Sequence, residues 1–293
     1  MRHLQLYTAL REVVIEGSIR KAAEKLTISP SSLNRKILAL EEELGVPFFE
    51  RLASGVRLST AGEIYYRHFI EHLAEIERAH GTVADLSGVR IGHIRVATSR
   101  GFEHGLLMSL IKKFRAAHPG VRFSVLPKAD DRLASAVLGL QADLALMAAP
   151  ERAELEVVGH AVQPMQLLVA REAAQGRTEL GLGDLSNFDL ILPPPGHALR
   201  RHLEHRINQQ RARLTPALET TAPMPPQGDE RPSAQLCLAA MVDTGFLRSH
   251  DATLLPLARM PASEIALCKA PERGLSVAAG KFAMELSAGL SAA

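Results

Sequence analysis

The amino-acid sequence predicts an all-α winged helix-turn-helix domain, a long linker helix and an α/β domain of two lobes. Three observations carry that prediction. Three short helical patterns and a basic hairpin open the chain, one narrow apolar seam runs through residues 60–86, and strands alternate with helices from Gly92 onward. The expected boundaries are 1–59, 60–88 and 89–293, with one lobe formed by about 89–163 and 266–293 and the other by about 164–265.

In the first helix Leu4, Tyr7, Leu10, Val14 and Ile15 recur at helical spacing until Gly17 stops it. Ser18 caps a short second helix that turns Ala22, Ala23 and Leu26 inward. Ser29 caps the third, and Pro30 takes its first position, where a missing N–H costs nothing. Leu33, Ile37, Leu40 and Leu44 form its inward stripe, and Gly45 ends it. Two brief segments flank Ala53–Ser54–Gly55, with Arg51 and Arg57 on either side, and read as a hairpin. Thr60 can cap the long helix, whose seam is Tyr66, Phe69, Leu73, Ile76, His80 and Val83. That heptad suits a dimerising linker, and packing on its own chain is the other reading.

Beyond Gly92, "HIRVAT", "VRFSVL" and "DLALMAA" read as strands separated by helices, an order that implies a parallel sheet with right-handed crossovers. "MQLLVARE", "FDLILPPP", a helix over residues 198–213 and "TPALETTA" repeat the pattern. Residues 223–233 make a Pro-rich loop, and "EIALCKA" with a helix from Leu275 to Leu286 closes the chain. Two lobes with a cleft fit this order better than one large sheet, and ligands sit off the carboxyl ends of such strands.

Composition narrows the function classes. The net charge of +2 identifies no polyanion partner, and residues 1–62 hold nine Lys or Arg against seven Asp or Glu, so any electrostatic case is local. No apolar run is long enough for a bilayer, and the N-terminal stretch lacks the apolar core of a signal peptide; a cytoplasmic protein with no membrane partner is the expectation. Cys237 and Cys268 are a redox pair or two buried thiols. No nucleophile elbow, Walker loop, dinucleotide fingerprint or metal motif is present, so neither catalysis, cofactor nor metal is expected. His197, His202 and His205 read as part of a solvated basic face.

With the Leu33/Ile37/Leu40/Leu44 stripe inward, a helical wheel turns Ser31, Asn34 and Arg35 outward, with Ser32 and Lys36 on the flanks. Such groups reach base edges and phosphates, and with Ser29 and Pro30 at the helix start they are the candidate DNA contacts. Arg51 and Arg57 are the candidates for backbone contacts from the wing. In "VATSRGFEHGLL", Thr98, Ser99 and Arg100 lie between a strand and a helix, where they suit either helix capping or an anion site. Asp131, beside Asp130, suits either a cap on the next helix or an edge of the same cleft, and Pro195 and Gly196 in "PPPGH" are expected on its opposite rim.

The stretches "GSIRKAAEKLTISPSSLNRKILALEEELGVPFFER" (Gly17 to Arg51) and "VRLSTAGEIYY" (Val56 to Tyr66) resemble the LysR-type transcriptional regulators. The resemblance implies a two-lobed effector domain like the periplasmic binding proteins, with a small-molecule effector bound between the lobes. It also implies a homodimer or homotetramer and a palindromic double-stranded DNA site carrying T-N11-A. Pro30 stands where the family usually has Gln, and Asn34 where it has Ser. Residues 222–260 depart further: in place of the family's helix and Gly-x-Gly strand ending in Pro stand the Pro-rich loop and "MVDTGFLRSH". A small-molecule binding protein with an N-terminal protein-interaction module is the rival reading.

Overall fold

The computed structural model describes residues 2–86, 92–148, 154–209, 215–227, 231–271 and 273–292, and the chain divides into two units, Met1–Thr82 and Val83–Ala293. The first contains α1 (Arg2–Glu16), α2 (Ile19–Lys25), α3 (Pro30–Leu44), the hairpin β1 (Phe49–Leu52) and β2 (Gly55–Leu58), and most of α4 (Thr60–Leu86). Ser18 and Ser29 cap α2 and α3 by accepting from Lys21 N and Ser32 N, and Gly45 ends α3 with φ 69°. Leu33, Ile37 and Leu40 are buried with Leu10, Val13, Ala22, Ala23 and Phe48 in one core. The inward face of α1 is rotated from the predicted one, because Ala9 and Val13 are buried while Ile15 is 49% exposed.

Ser59, not Thr60, caps α4. Its hydroxyl accepts from Gly62 N at 2.9 Å and donates to Pro47 O, and its own N–H bonds Phe48 O. The start of α4 is thereby tied to the chain entering the wing. The predicted seam begins by serving this unit's own core: Phe69 stacks on Tyr7 at 4.2 Å and on Phe48 at 5.9 Å, and burial pushes the Tyr66 phenol up to about 12. The side chains of His80 and Val83 lie outside the described residues.

The second unit holds two five-stranded sheets. The first comprises β3 (Gly92–Ser99), β4 (Val121–Lys128), β5 (Leu144–Ala148), β6 (Glu156–Gln163) and, from further along the chain, β12 (Ser263–Lys269), in the order β4-β3-β5-β12-β6. β3 runs parallel to β4 and β5, and β12 is antiparallel to β5 and β6. The helices α5 (Leu106–Ala117) and α10 (Val277–Ala292) cover one face, where Phe114, Phe123 and Phe282 meet edge to face; α6 (Leu133–Leu138) covers the other.

In the second sheet, β7 (Gln166–Ala170), β8 (Asp189–Leu192), β9 (Leu218–Glu219), β10 (Ser233–Cys237) and β11 (Ala252–Pro256) take the order β11-β7-β10-β8-β9. Short α7 (Arg171–Ala174), α8 (Ala198–Gln209) and α9 (Thr244–Ser249) complete this lobe. The chain returns to the first sheet at Ser263 rather than at 266. Residues 87–88 of the predicted linker, 210–213 of the predicted helix and 228–230 of the Pro-rich loop lie outside the described residues.

Several elements were absent from the sequence prediction: β6, β10, α7, α9 and β11. The segment 222–260 therefore does contain a helix followed by a strand that ends in Pro256. Its Pro-rich part is held by β10, since Gln235 accepts from Met224 N and donates to Ala222 O, and the Ser233 hydroxyl accepts from Gln227 N. Cys237 and Cys268 are both buried and neither forms a disulfide, and burial raises the Cys237 thiol to about 12.

Gly62 offers a direct test of the wing-to-α4 junction. A Cβ there would stand 2.0 Å from Phe48 O, so Gly62→Ala should lower the unfolding free energy by about 1–3 kcal/mol. Gly274→Ala, where a Cβ meets nothing within 4 Å, should leave chemical denaturation unchanged.

Candidate nucleic-acid interface and ligand cleft

In the first unit, the core stripe of α3 leaves Ser31, Arg35 and Lys36 exposed and Ser32 and Asn34 half-buried. Ser29 is spent on capping and lies 3.3 Å from Ser31 through its hydroxyl. Arg35 and Lys36 make no hydrogen bond or ion pair among the described residues, so their charges are available. Asn34 is not an isolated outward group: its Oδ1 accepts from Arg51 Nη2 at 2.9 Å, which joins α3 to the wing. Arg57 lies opposite Glu50 in the hairpin register, and its guanidinium donates to Glu50 Oε2 at 2.7 Å.

The far end of α3 has a structural task. Glu41 Oε1 accepts from the N–H groups of both Phe48 and Phe49, at 2.8 and 3.0 Å, which fixes the entry to the wing; Glu42 and Glu43 are exposed. Lys25 joins α2 to α1 by pairing with Glu12 and Glu16, whose hydrogen bonds raise its pKa. Glu41 was not recognisable as a wing anchor from its place in a run of three glutamates.

In the second unit a cavity of about 380 Å³ opens beyond the carboxyl ends of β3, β4 and β8. Arg100, Asp131, Pro195 and Gly196 line it, as do Lys128, Asp130, His197 and Arg201. Thr98 and Ser99 do not. Both are fully buried; the Thr98 hydroxyl donates to Ser99 O, and the Ser99 hydroxyl accepts from Ala148 N on β5. The Ser99 hydroxyl thus links β3 to β5, the Thr98 bond stays within β3, and neither caps α5, whose N-cap is Gly105 without a side-chain bond.

Two contacts tie the lobes at the cavity. Asp130 Oδ2 accepts from Ala198 N at 2.8 Å, so a carboxylate of one lobe caps α8 of the other. His197 Nδ1 accepts from Leu199 N, which leaves Nε2 to donate to Arg100 O at 3.0 Å. Arg200, the third residue of α8, is buried beside Pro193 O, Glu204 and Glu219; burial lowers its pKa but the two carboxylates outweigh this and raise it. It supports the Pro193–Gly196 rim from behind. Burial, with Arg201 and His205 adjacent, lowers the pKa of His202.

Three cations, Arg100, Lys128 and Arg201, and two carboxylates, Asp130 and Asp131, line the cavity. Asp130 Oδ2 is committed to α8 while its Oδ1 is buried without a hydrogen bond among the described residues, and Asp131 lies 3.8 Å from Arg132. The side chains of Arg100 and Lys128 make no hydrogen bond or ion pair among the described residues, while Arg201 donates to Gly196 O. The sequence pointed to Arg100 and the rim, but His197 and Asp130 emerge as interlobe ties only when the strands are placed. No helix among the described residues is long and apolar enough to cross a membrane.

Comparison with known proteins places this architecture. Residues 4–63 match the bacterial regulatory helix-turn-helix proteins of the lysR family, and residues 87–223 match the LysR substrate binding domain. The regulator BudR of Klebsiella aerogenes is 35% identical over 127 residues, covering 42% of this chain and 84% of BudR. BenM of Acinetobacter baylyi is 34% identical over 125 residues, 43% of this chain and 40% of BenM. The fold of full-length CbnR, in a structure with its target DNA, superposes with a TM-score of 0.59 at 18% identity, covering 99% of both chains. The chain belongs to the LysR family of transcriptional regulators. It spans about half the length of the first curated relatives it matches.

The cap across the cleft is open to test. Asp130→Ala should lower the calorimetric midpoint of the second unit by about 2–4 °C, the effect of losing an N-cap worth about 1 kcal/mol. Asp131→Ala, at an exposed carboxylate, should change it by less than about 1 °C.

Proposed function

We propose that this protein is a sequence-specific DNA-binding transcription regulator whose output a small molecule controls from the cleft between its lobes. The observation that carries the reading is the helix α3, which turns unpaired Arg35 and Lys36 outward beside a wing that adds Arg51. The N-terminal half of α3 enters a major groove, Arg35 reads a base edge, and the wing lies along adjacent phosphates. A homodimer, assembled in part through α4, sets the spacing of two half-sites; pairing of dimers gives a tetramer on a palindromic site. The protein acts in the cytoplasm, without catalysis, metal or cofactor.

The effector is a small anion held by Arg100, Lys128 and Arg201. Its influence equals its differential affinity for the two arrangements of the lobes, so a ligand that fits both equally changes nothing. The ties made by Asp130 and His197 are the contacts it must favour or displace.

Binding to DNA immediately upstream of the protein's own coding sequence tests the regulator reading. Full-length protein should shift that duplex more strongly than a scrambled one, and Arg35→Ala should weaken the specific complex about ten- to a hundredfold. Equal affinity for both duplexes, unchanged by Arg35→Ala, would remove the reading.

A further inference from the structure

We propose that the two wing arginines have opposite states: Asn34 holds Arg51 ready for a phosphate, while Glu50 occupies Arg57 and keeps it from one. The proposal rests on the DNA-binding reading and adds to it a built-in limit on affinity. Two features of the hairpin produce the difference. Side chains alternate across a strand, so Glu50 and Arg51, adjacent on β1, leave it on opposite sides. Glu50 meets Arg57, its direct register partner on β2, and Arg51 meets Asn34 on α3.

The partners differ in charge. Both Nε and Nη2 of Arg57 lie 2.7 Å from the same carboxylate oxygen of Glu50, so the pair presents no net charge to a polyanion. Asn34 is a neutral amide, and its single bond to Arg51 restrains the guanidinium while leaving the positive charge intact. The side chains of Arg57 and Glu50 are 66% and 43% exposed, so this pair contributes little to stability and its effect is on binding. Of the basic groups beside α3 and on the wing, Arg35, Lys36 and Arg51 are thus available to DNA, and Arg57 is withheld. The family's usual Ser at position 34 has a shorter reach than Asn, which connects this arrangement to the departure seen in the sequence.

Counterion release reads the difference directly, because each phosphate contacted by a cation adds about 0.9 to the slope of log affinity against log salt. The measurement is fluorescence anisotropy of full-length protein on a labelled duplex of its own upstream DNA, with circular dichroism to verify folding. Glu50→Gln should bind more tightly, with a slope steeper by about 0.9, so that its advantage shrinks about 3.5-fold between about 50 and 200 mM salt. The gain should vanish in Glu50→Gln/Arg57→Gln, because it comes from the released arginine. A gain that persists in the double variant, or no gain at all, overturns the role given to Glu50.

For the other half, Arg51→Ala and Asn34→Ala should each make the slope shallower, Asn34→Ala by no more than Arg51→Ala. Asn34→Ala should then have no further effect once Arg51 is gone. A loss on Asn34→Ala that persists without Arg51, with altered base preference, would make Asn34 a base reader and overturn its positioning role. Absence of binding by the unmodified protein would instead overturn the DNA-binding reading, and this proposal with it.

Discussion

Burial of Leu33, Ile37 and Leu40 fixes the rest of the N-terminal unit. Each is at most 5% exposed, and each such side chain contributes roughly 1.5–3 kcal/mol on leaving water. Once that stripe faces Leu10, Val13, Ala22 and Phe48, α3 cannot rotate without exposing it. The outward direction of Arg35 and Lys36 is therefore a consequence of core packing. The same constraint explains the uneven charge of α3. Its first half carries Arg35 and Lys36, which make no ion pair among the described residues, and at its acidic end Glu41 turns to the wing and satisfies two backbone N–H groups that would otherwise be unpaired.

A comparable economy governs the second unit. One cluster of buried apolar side chains runs through both lobes and includes Phe102, Leu107, Met241 and Val242. Backbone approach is close there, since a Cβ on Gly105 would stand 2.3 Å from Ala240 O. Polar ties then set the mouth of the cavity: Asp130 on α8, and His197 on the Arg100 carbonyl. A carboxylate already sits at the start of α8, so that helix terminus is satisfied, and Arg100, Lys128 and Arg201 are the cations that line the cavity. In the proposed function these few contacts are where a ligand would distinguish two lobe arrangements, the kind of differential interaction that a population shift requires.

The sequence disclosed those parts whose residues obey a single local rule. The stripe of α3, its Ser29 cap and Gly45 stop, the hairpin, and the strands β3, β4, β5 and β8 follow apolar periodicity or turn chemistry. Elements that depend on distant partners stayed hidden. β10 reads as polar through Ser233 and Gln235, yet it is fully buried, because those side chains bond a loop whose prolines leave few N–H groups to organise it. β6 lies at a sheet edge and is interrupted by Gly159 and His160, which obscure its alternation. In the cleft, residue type pointed to Thr98 and Ser99 as ligand groups, whereas both are buried and their hydroxyls are taken, Thr98's by the adjacent Ser99 carbonyl and Ser99's by Ala148 N on β5. Chemistry in the sequence located the loop; only topology decided which of its side chains face the cavity.

The orientation of α3 toward DNA is the central claim, and amide hydrogen exchange of the full-length protein, with and without its upstream duplex, measures it most directly. The account predicts that DNA adds protection at residues 29–36 and in the wing over 49–58, while 41–45 exchange as before. Protection concentrated at 41–45, or none in α3 while the duplex is bound, would contradict it.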